Sequence, residues 1–196
     1  VHLDLMERTA DGLGYPRPAA ADLGKEYSRP FFEHLTWFFP GDQGKVVDTY
    51  MDLYQAAVWQ ENRLYSGVLE LLRQLKTDGY RTGILSDKRQ VFGAPELEFS
   101  GLGSLVDQAL FFSDGMAPKP DPSGLQELMR SFGVAPGRCL FVGDSYRDIE
   151  CARRAGVRSG AALWASVEPE RVLALEPEFR WKRVEDVSLA LKLGRD

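Results

Sequence analysis

Two stretches decide the fold: Tyr80-Arg81-Thr82-Gly83-Ile84-Leu85, which runs into Ser86-Asp87-Lys88, and Cys139-Leu140-Phe141-Val142, which runs into Gly143-Asp144-Ser145. Each is a short, β-prone run that stops at small polar residues. Before the first, Val68, Leu71, Leu72 and Leu75 recur at helical spacing and end at Asp78-Gly79. Between the two, Leu110-Phe111-Phe112 reads as a further strand and Gly124–Phe132 as a helix; beyond them, Arg147–Ala155 reads as a helix and Gly160–Trp164 as a weak strand. Such alternation predicts an α/β domain with a parallel sheet covered by helices, because parallel neighbours need a crossover between them.

On the N-terminal side the pattern is different. Leu3, Met6, Ala10 and Leu13 form one helical face, with Gly14 placed as a C-terminal cap and Pro16 and Pro18 blocking continuation. Phe31, Phe32, Leu35, Phe38 and Phe39 form a second face that stops at Pro40-Gly41, and Val47, Tyr50, Met51, Tyr54 and Val58 form a third. The expectation is a small helical unit over residues 1–62, its aromatic stripe being core, followed by the α/β unit over residues 63–196.

Composition bounds the possible functions. The 196 residues are 44% hydrophobic and 27% charged, as in soluble globular proteins. With 24 Lys and Arg against 29 Asp and Glu, the net charge of −5 opposes binding to a nucleic-acid backbone. The longest apolar runs, such as Ala109–Phe112, are too short to span a membrane, and no secretory leader is evident, so no membrane partner and a cytoplasmic setting are expected. Cys139 and Cys151 have no metal-ligand spacing, and with only His2 and His34 present they are expected to pack rather than bind zinc.

Ligands of open parallel sheets bind beyond the carboxyl ends of the strands. Those positions carry Ser86-Asp87-Lys88, Ser113-Asp114 with Lys119 following, and Gly143-Asp144-Ser145 with Asp148 following. Singly, each also reads as a helix cap or a solvated loop. Together they offer a hydroxyl, an ammonium and two carboxylates on one rim, a set that can hold a phosphoryl group beside a hard cation.

The segments Ile84–Lys88, Pro118-Lys119-Pro120-Asp121-Pro122 and Phe141–Ser145 with Asp148 resemble, in order, three of the four motifs of the haloacid dehalogenase superfamily, and most closely its phosphoglycolate-phosphatase-like branch. The resemblance implies a Rossmann-like α/β core, with residues 1–62 as an all-helical cap and Tyr65-Ser66-Gly67-Val68 as the return to the core. It further implies Ser86 as the hydroxyl that binds the transferred phosphoryl, Lys119 as the charge-neutralising catalytic lysine, Asp144 as a Mg²⁺ ligand and Asp148 as its outer supporting residue. Asp87 joins Ser86 and Lys119 as a substrate-side candidate, and Arg29 either meets a substrate anion or is solvated. The family's first motif, Asp-x-Asp-Gly, which provides the nucleophile, has no match; Thr9-Ala10-Asp11-Gly12 and Ser113-Asp114-Gly115 lack the second aspartate and fall in the wrong order. The expectation is truncation, with that motif and the central first strand lying roughly 10–20 residues upstream of Val1.

The leading expectation is therefore a Mg²⁺-dependent phosphatase of a small phosphorylated metabolite, working through an aspartyl-phosphate. A non-catalytic relative that binds a phosphorylated ligand or a protein partner is the alternative, and metal-free halide displacement fits less well because Asp144 and Asp148 form an acidic pair. Substrate identity and oligomeric state are not encoded in any motif.

Overall fold

A computed structural model describes residues 2–19, 22, 31–61, 64–113 and 115–193. The chain divides into two compact units, Val1–Arg63 and Leu64–Asp196. Among the described residues of the first are the helices α1 (His2–Leu13), α2 (Phe31–Phe38) and α3 (Gln43–Glu61). Leu5, Met6, Ala10, Leu35, Phe39, Val46, Tyr50 and Ala57 form its core, each 3% exposed or less. Burying several large side chains at about 1.5–3 kcal/mol each is what holds three short helices together. Gly14 turns the chain out of α1 at a φ of 73°, the left-handed conformation that a side chain resists.

The second unit runs α4 (Val68–Thr77), β1 (Gly83–Arg89), α5 (Gln90–Phe99), β2 (Gln108–Phe112), α6 (Ser123–Phe132), β3 (Leu140–Gly143), α7 (Tyr146–Ala155), β4 (Arg158–Ala162), α8 (Pro169–Leu173), β5 (Phe179–Trp181) and α9 (Glu185–Leu193). Among the described residues all pairings are parallel, as the alternation predicted, but they fall into two sheets: β1 with β2, and β3 with β4 and β5. One apolar core spans both: Leu125 and Met129 of α6 and Cys151, Ala152 and Ala155 of α7 are packed with Leu85 of β1 and Phe141 of β3. Gly124 lets α6 settle there, since a Cβ at that position would lie 2.9 Å from Leu85. No helix among the described residues is long and apolar enough to cross a membrane.

Two differences from the sequence reading bear on the site. β1 begins at Gly83, not Tyr80, because Thr82 is already engaged: its N–H donates to the Asp107 carboxylate at 2.7 Å and its hydroxyl to the Leu105 carbonyl at 3.1 Å. The strand then continues through Ser86-Asp87-Lys88, so these residues are not a loop after the strand. Pairing with β2 is regular to Ser86 opposite Phe111 and then shifts, with Arg89 opposite Phe112. The irregularity falls on Asp87 and Lys88 and re-aims their side chains, as bulges next to functional sites do.

Candidate active site

The site is built at the tips of β1 and β3. Ser86 closes the regular part of β1, and its hydroxyl accepts the Lys88 N–H at 3.2 Å. Lys88 itself reaches Glu96 of α5 at 2.6 Å. Asp87 turns toward the loop that follows β2: its Oδ1 accepts the backbone N–H of Lys119 at 3.0 Å, while its Oδ2 lies 3.6 Å from Nη2 of Arg147. The loop is fixed at two further points. The Asp121 carbonyl accepts the buried Cys151 thiol at 3.4 Å, and the Asp121 carboxylate caps α6 through the Ser123 N–H at 2.9 Å.

The Lys119 ammonium donates to Asp148 Oδ1 at 2.6 Å, with side-chain exposures of 14% and 5%. It also lies 5.9 Å from the centre of the Phe141 ring. Asp148 uses its other oxygen to cap α7, accepting the Ser145 N–H at 3.0 Å and the Ser145 hydroxyl at 2.8 Å. Gly143 makes this possible: a Cβ there would fall 2.2 Å from the Cβ of Asp148, so any side chain at the end of β3 would push the carboxylate out. Both oxygens of Asp148 thus face protein donors, which suits it to hold Lys119 more than to bind a metal directly.

Charge follows the geometry. Burial alone would pull the Lys119 ammonium down, but the negative charges of Asp148 and Asp87 and the hydrogen bond to Asp148 outweigh it and hold the lysine above its ordinary range. Asp148 is likewise penalised by burial, yet Lys119 and Ser145 hold it below the usual carboxylate range. Asp144, just after β3, is the opposite case: burial first and the Asp148 charge second push it up to about 6, with Glu168 adding to the repulsion. Lys119 and Arg147 against Asp87, Asp144 and Asp148 leave the cluster one charge negative when all are ionised. An anionic phosphoryl group needs added positive charge to enter such a place.

A divalent cation fits that requirement in part. Asp144 is a hard oxygen donor whose charge the protein leaves poorly compensated, which is what a cation relieves. Among the described residues no three His, Cys, Asp or Glu side chains gather into a metal-binding group, so Asp144 is a candidate ligand and not part of a described cluster.

Sequence reading named Ser86, Asp87, Lys119, Asp144 and Asp148, and the structure joins Asp87, Lys119 and Asp148 by direct contact and Asp144 by its field. Arg29 and Asp114 lie outside the described residues. Asp11 belongs to α1 and pairs with Arg17 at 2.5 Å. Cys151 packs as expected, its thiol pushed up to about 11 by burial, but Cys139 is half-buried at the edge of the core. Arg147 was missed. It is 8% exposed in the first turn of α7, where a cation opposes the helix dipole, and that mismatch is the signal that could have found it.

With this geometry in place, comparison with known proteins is informative. The haloacid dehalogenase-like hydrolase family matches residues 3–162. The pyrophosphatase PpaX of Bacillus velezensis is 26% identical over 153 residues, covering 76% of this chain and 71% of that protein. The chain spans 57% of the length of the PpaX relatives from Listeria monocytogenes. Among solved structures, a haloacid dehalogenase-like hydrolase of Streptococcus pneumoniae, SP0104, superimposes with a TM-score of 0.84 at 19% identity, covering 96% of this chain and 89% of the other. A structure described as a predicted phosphoglycolate phosphatase, from Haemophilus somnus, gives 0.82 at 21% identity, covering 98% and 90%. These likenesses establish the Rossmann-like α/β fold. The family match runs through the helical unit and both strand tips that carry the site, and the chain belongs to the haloacid dehalogenase-like hydrolase family.

Proposed function

We propose that this chain carries most of the active site of a Mg²⁺-dependent phosphatase acting on a small phosphorylated metabolite. The observation that carries the reading is the buried Lys119–Asp148 pair at 2.6 Å beside the poorly compensated Asp144. In this reading Lys119 meets the phosphoryl oxygens, its ammonium held charged and aimed by Asp148, and gains on the order of 4 kcal/mol from an anionic oxygen at about 4 Å, before desolvation. Ser86 directs a hydroxyl to the same group. Asp144 would hold the cation, which supplies charge neutralisation at the phosphoryl group. The similarity to PpaX and to a phosphoglycolate-phosphatase-like structure supports phosphate ester or anhydride chemistry over halide displacement.

The nucleophile is the missing part. The 196 residues contain no Asp-x-Asp, and we place the attacking carboxylate upstream of residue 1, on a strand that would pair between β1 and β3. Residues 1–62 act as the cap that chooses the substrate, and Arg29 remains a candidate for contact with it. The absent motif also favours a second reading, a catalytically inactive protein that binds a phosphorylated ligand or a protein partner. Hydrolysis of para-nitrophenyl phosphate separates them. Residues 1–196 should show no turnover, and the chain extended by its natural upstream sequence should turn over only with Mg²⁺. An inactive extended chain that still binds inorganic phosphate would favour the second reading, and turnover by residues 1–196 that Ser86→Ala abolishes would make Ser86 the nucleophile.

A further inference from the structure

Arg147 belongs to none of the motifs, yet it is among the few charged side chains buried in the described structure, at 8% exposure. A guanidinium cannot shed its proton to escape burial. Its place in the first turn of α7 adds the unfavourable end of a helix dipole. A charge kept in so unfavourable a place needs partners, and Asp87 is one of them, with its Oδ2 3.6 Å from Nη2. The other oxygen of Asp87 accepts the backbone N–H of Lys119 at 3.0 Å. The next residue on α7, Asp148, takes the ammonium of the same lysine at 2.6 Å.

We infer that Arg147 is a positioning residue for Lys119, acting through Asp87, so that consecutive residues of α7 hold the lysine at both ends. Arg147 anchors its backbone by way of β1, and Asp148 anchors its ammonium directly. Asp87, Asp144 and Asp148 all act on the one Lys119 charge, and Asp87 is 29% exposed at its side chain. Without the arginine, Asp87 loses that counter-charge, turns toward water and releases the Lys119 N–H. Among the described residues the two sheets share no strand pairing, so this link also sets the lysine-bearing loop against the tip of β3. Its value for binding a phosphoryl group rests on the proposed function; the positioning itself does not.

The test needs no substrate. Hydrogen exchange and the ¹H–¹⁵N resonance of the Lys119 amide are followed in the 196-residue chain, in Arg147→Gln, in Arg147→Lys and in Asp87→Ala. Protection of that amide should fall about tenfold or more in Arg147→Gln and in Asp87→Ala, and return to within about threefold in Arg147→Lys. The Val157 amide, bonded to the Ala152 carbonyl at 2.9 Å, reports whether the core is intact and should not change. Full protection at Lys119 in a folded Arg147→Gln chain overturns the inference, as does equal loss in Arg147→Lys. Should Arg147→Gln fail to fold, Asp87→Asn keeps an acceptor but removes the charge that Arg147 holds, and protection must still fall about threefold or more; unchanged protection there overturns the relay. Because inactivity toward phosphate esters leaves these readouts untouched, failure of the phosphatase reading is distinguishable from failure of this one.

Discussion

The two sides of the α/β unit are built differently. On the side of β4, Gly160, Ala161 and Ala162 are buried, Ile149 and Val172 close over them, and Trp181 of β5 lies against Gly160. On the other side no residue of β1, β2 or β3 is fully buried, although parallel strands are usually covered on both faces. Among the described residues β1 and β3 each pair along a single edge. What joins their tips is charge: Lys119 with Asp148, and Arg147 with Asp87. An apolar core spanning both sheets holds the fold, while the strand tips that carry the candidate site depend on polar groups whose partners must be in place.

That contrast predicts where mutations hurt. Removing the Asp148 carboxylate in Asp148→Ala leaves the Lys119 ammonium buried without its closest counter-charge and strips the cap from α7. The expected loss is about 3–5 kcal/mol in urea unfolding, and a loss below about 1 kcal/mol would mean that the seam is not held by this pair. In a chain carrying the upstream Asp-x-Asp strand, Lys119→Ala and Asp144→Asn should each lower phosphatase turnover by about 10²-fold or more, or about 3 kcal/mol. The first leaves phosphoryl charge uncompensated and the second weakens the cation site, so added Mg²⁺ should recover activity in Asp144→Asn more than in Lys119→Ala.

The sign of the Asp144 effect on stability is opposite to its effect on activity. Because its folded value is pushed up to about 6, Asp144 favours the fold while protonated, and that contribution is lost as pH rises from about 4 through about 6. Asp144→Asn should therefore raise metal-free stability by about 3 kcal/mol near pH 7, and the gain should vanish below about pH 4. A site selected for ligand binding at the expense of the empty fold behaves this way. The smallest effect belongs to the helical unit's surface: Arg17→Ala removes an exposed pair with Asp11 and should leave the unfolding midpoint unchanged within error, since such pairs are well solvated.

Much of this was legible because periodicity and chain breaks carry strong local signals. Gly14 with Pro16 ends α1, and the helix read over Gly124–Phe132 is α6, which starts one residue earlier at Ser123. The elements that escaped notice have local reasons to do so. α5 contains Gly93 and Pro95, residues of poor helix propensity, and β5 is three residues long. The site motifs were visible as small polar residues at strand tips, whereas the Arg147–Asp87 pair joins positions 60 residues apart across two sheets. A nonlocal pair of this kind leaves no periodic trace. The division of the strands into two sheets was likewise not readable, because hydrophobic pattern marks a strand but not its neighbour.

The central claim is that Asp144 is the cation-binding carboxylate of a phosphoryl-transfer site, and the most direct measurement is thermal unfolding of residues 1–196 and of Asp144→Asn near neutral pH, with and without Mg²⁺. Binding to the native state alone raises the midpoint by mass action. With Asp144 as its carboxylate ligand, the unaltered protein should respond only at millimolar Mg²⁺. Asp144→Asn should begin at a higher midpoint and show no response. A lower midpoint for Asp144→Asn, or an equal rise with Mg²⁺ in both proteins, would contradict the account.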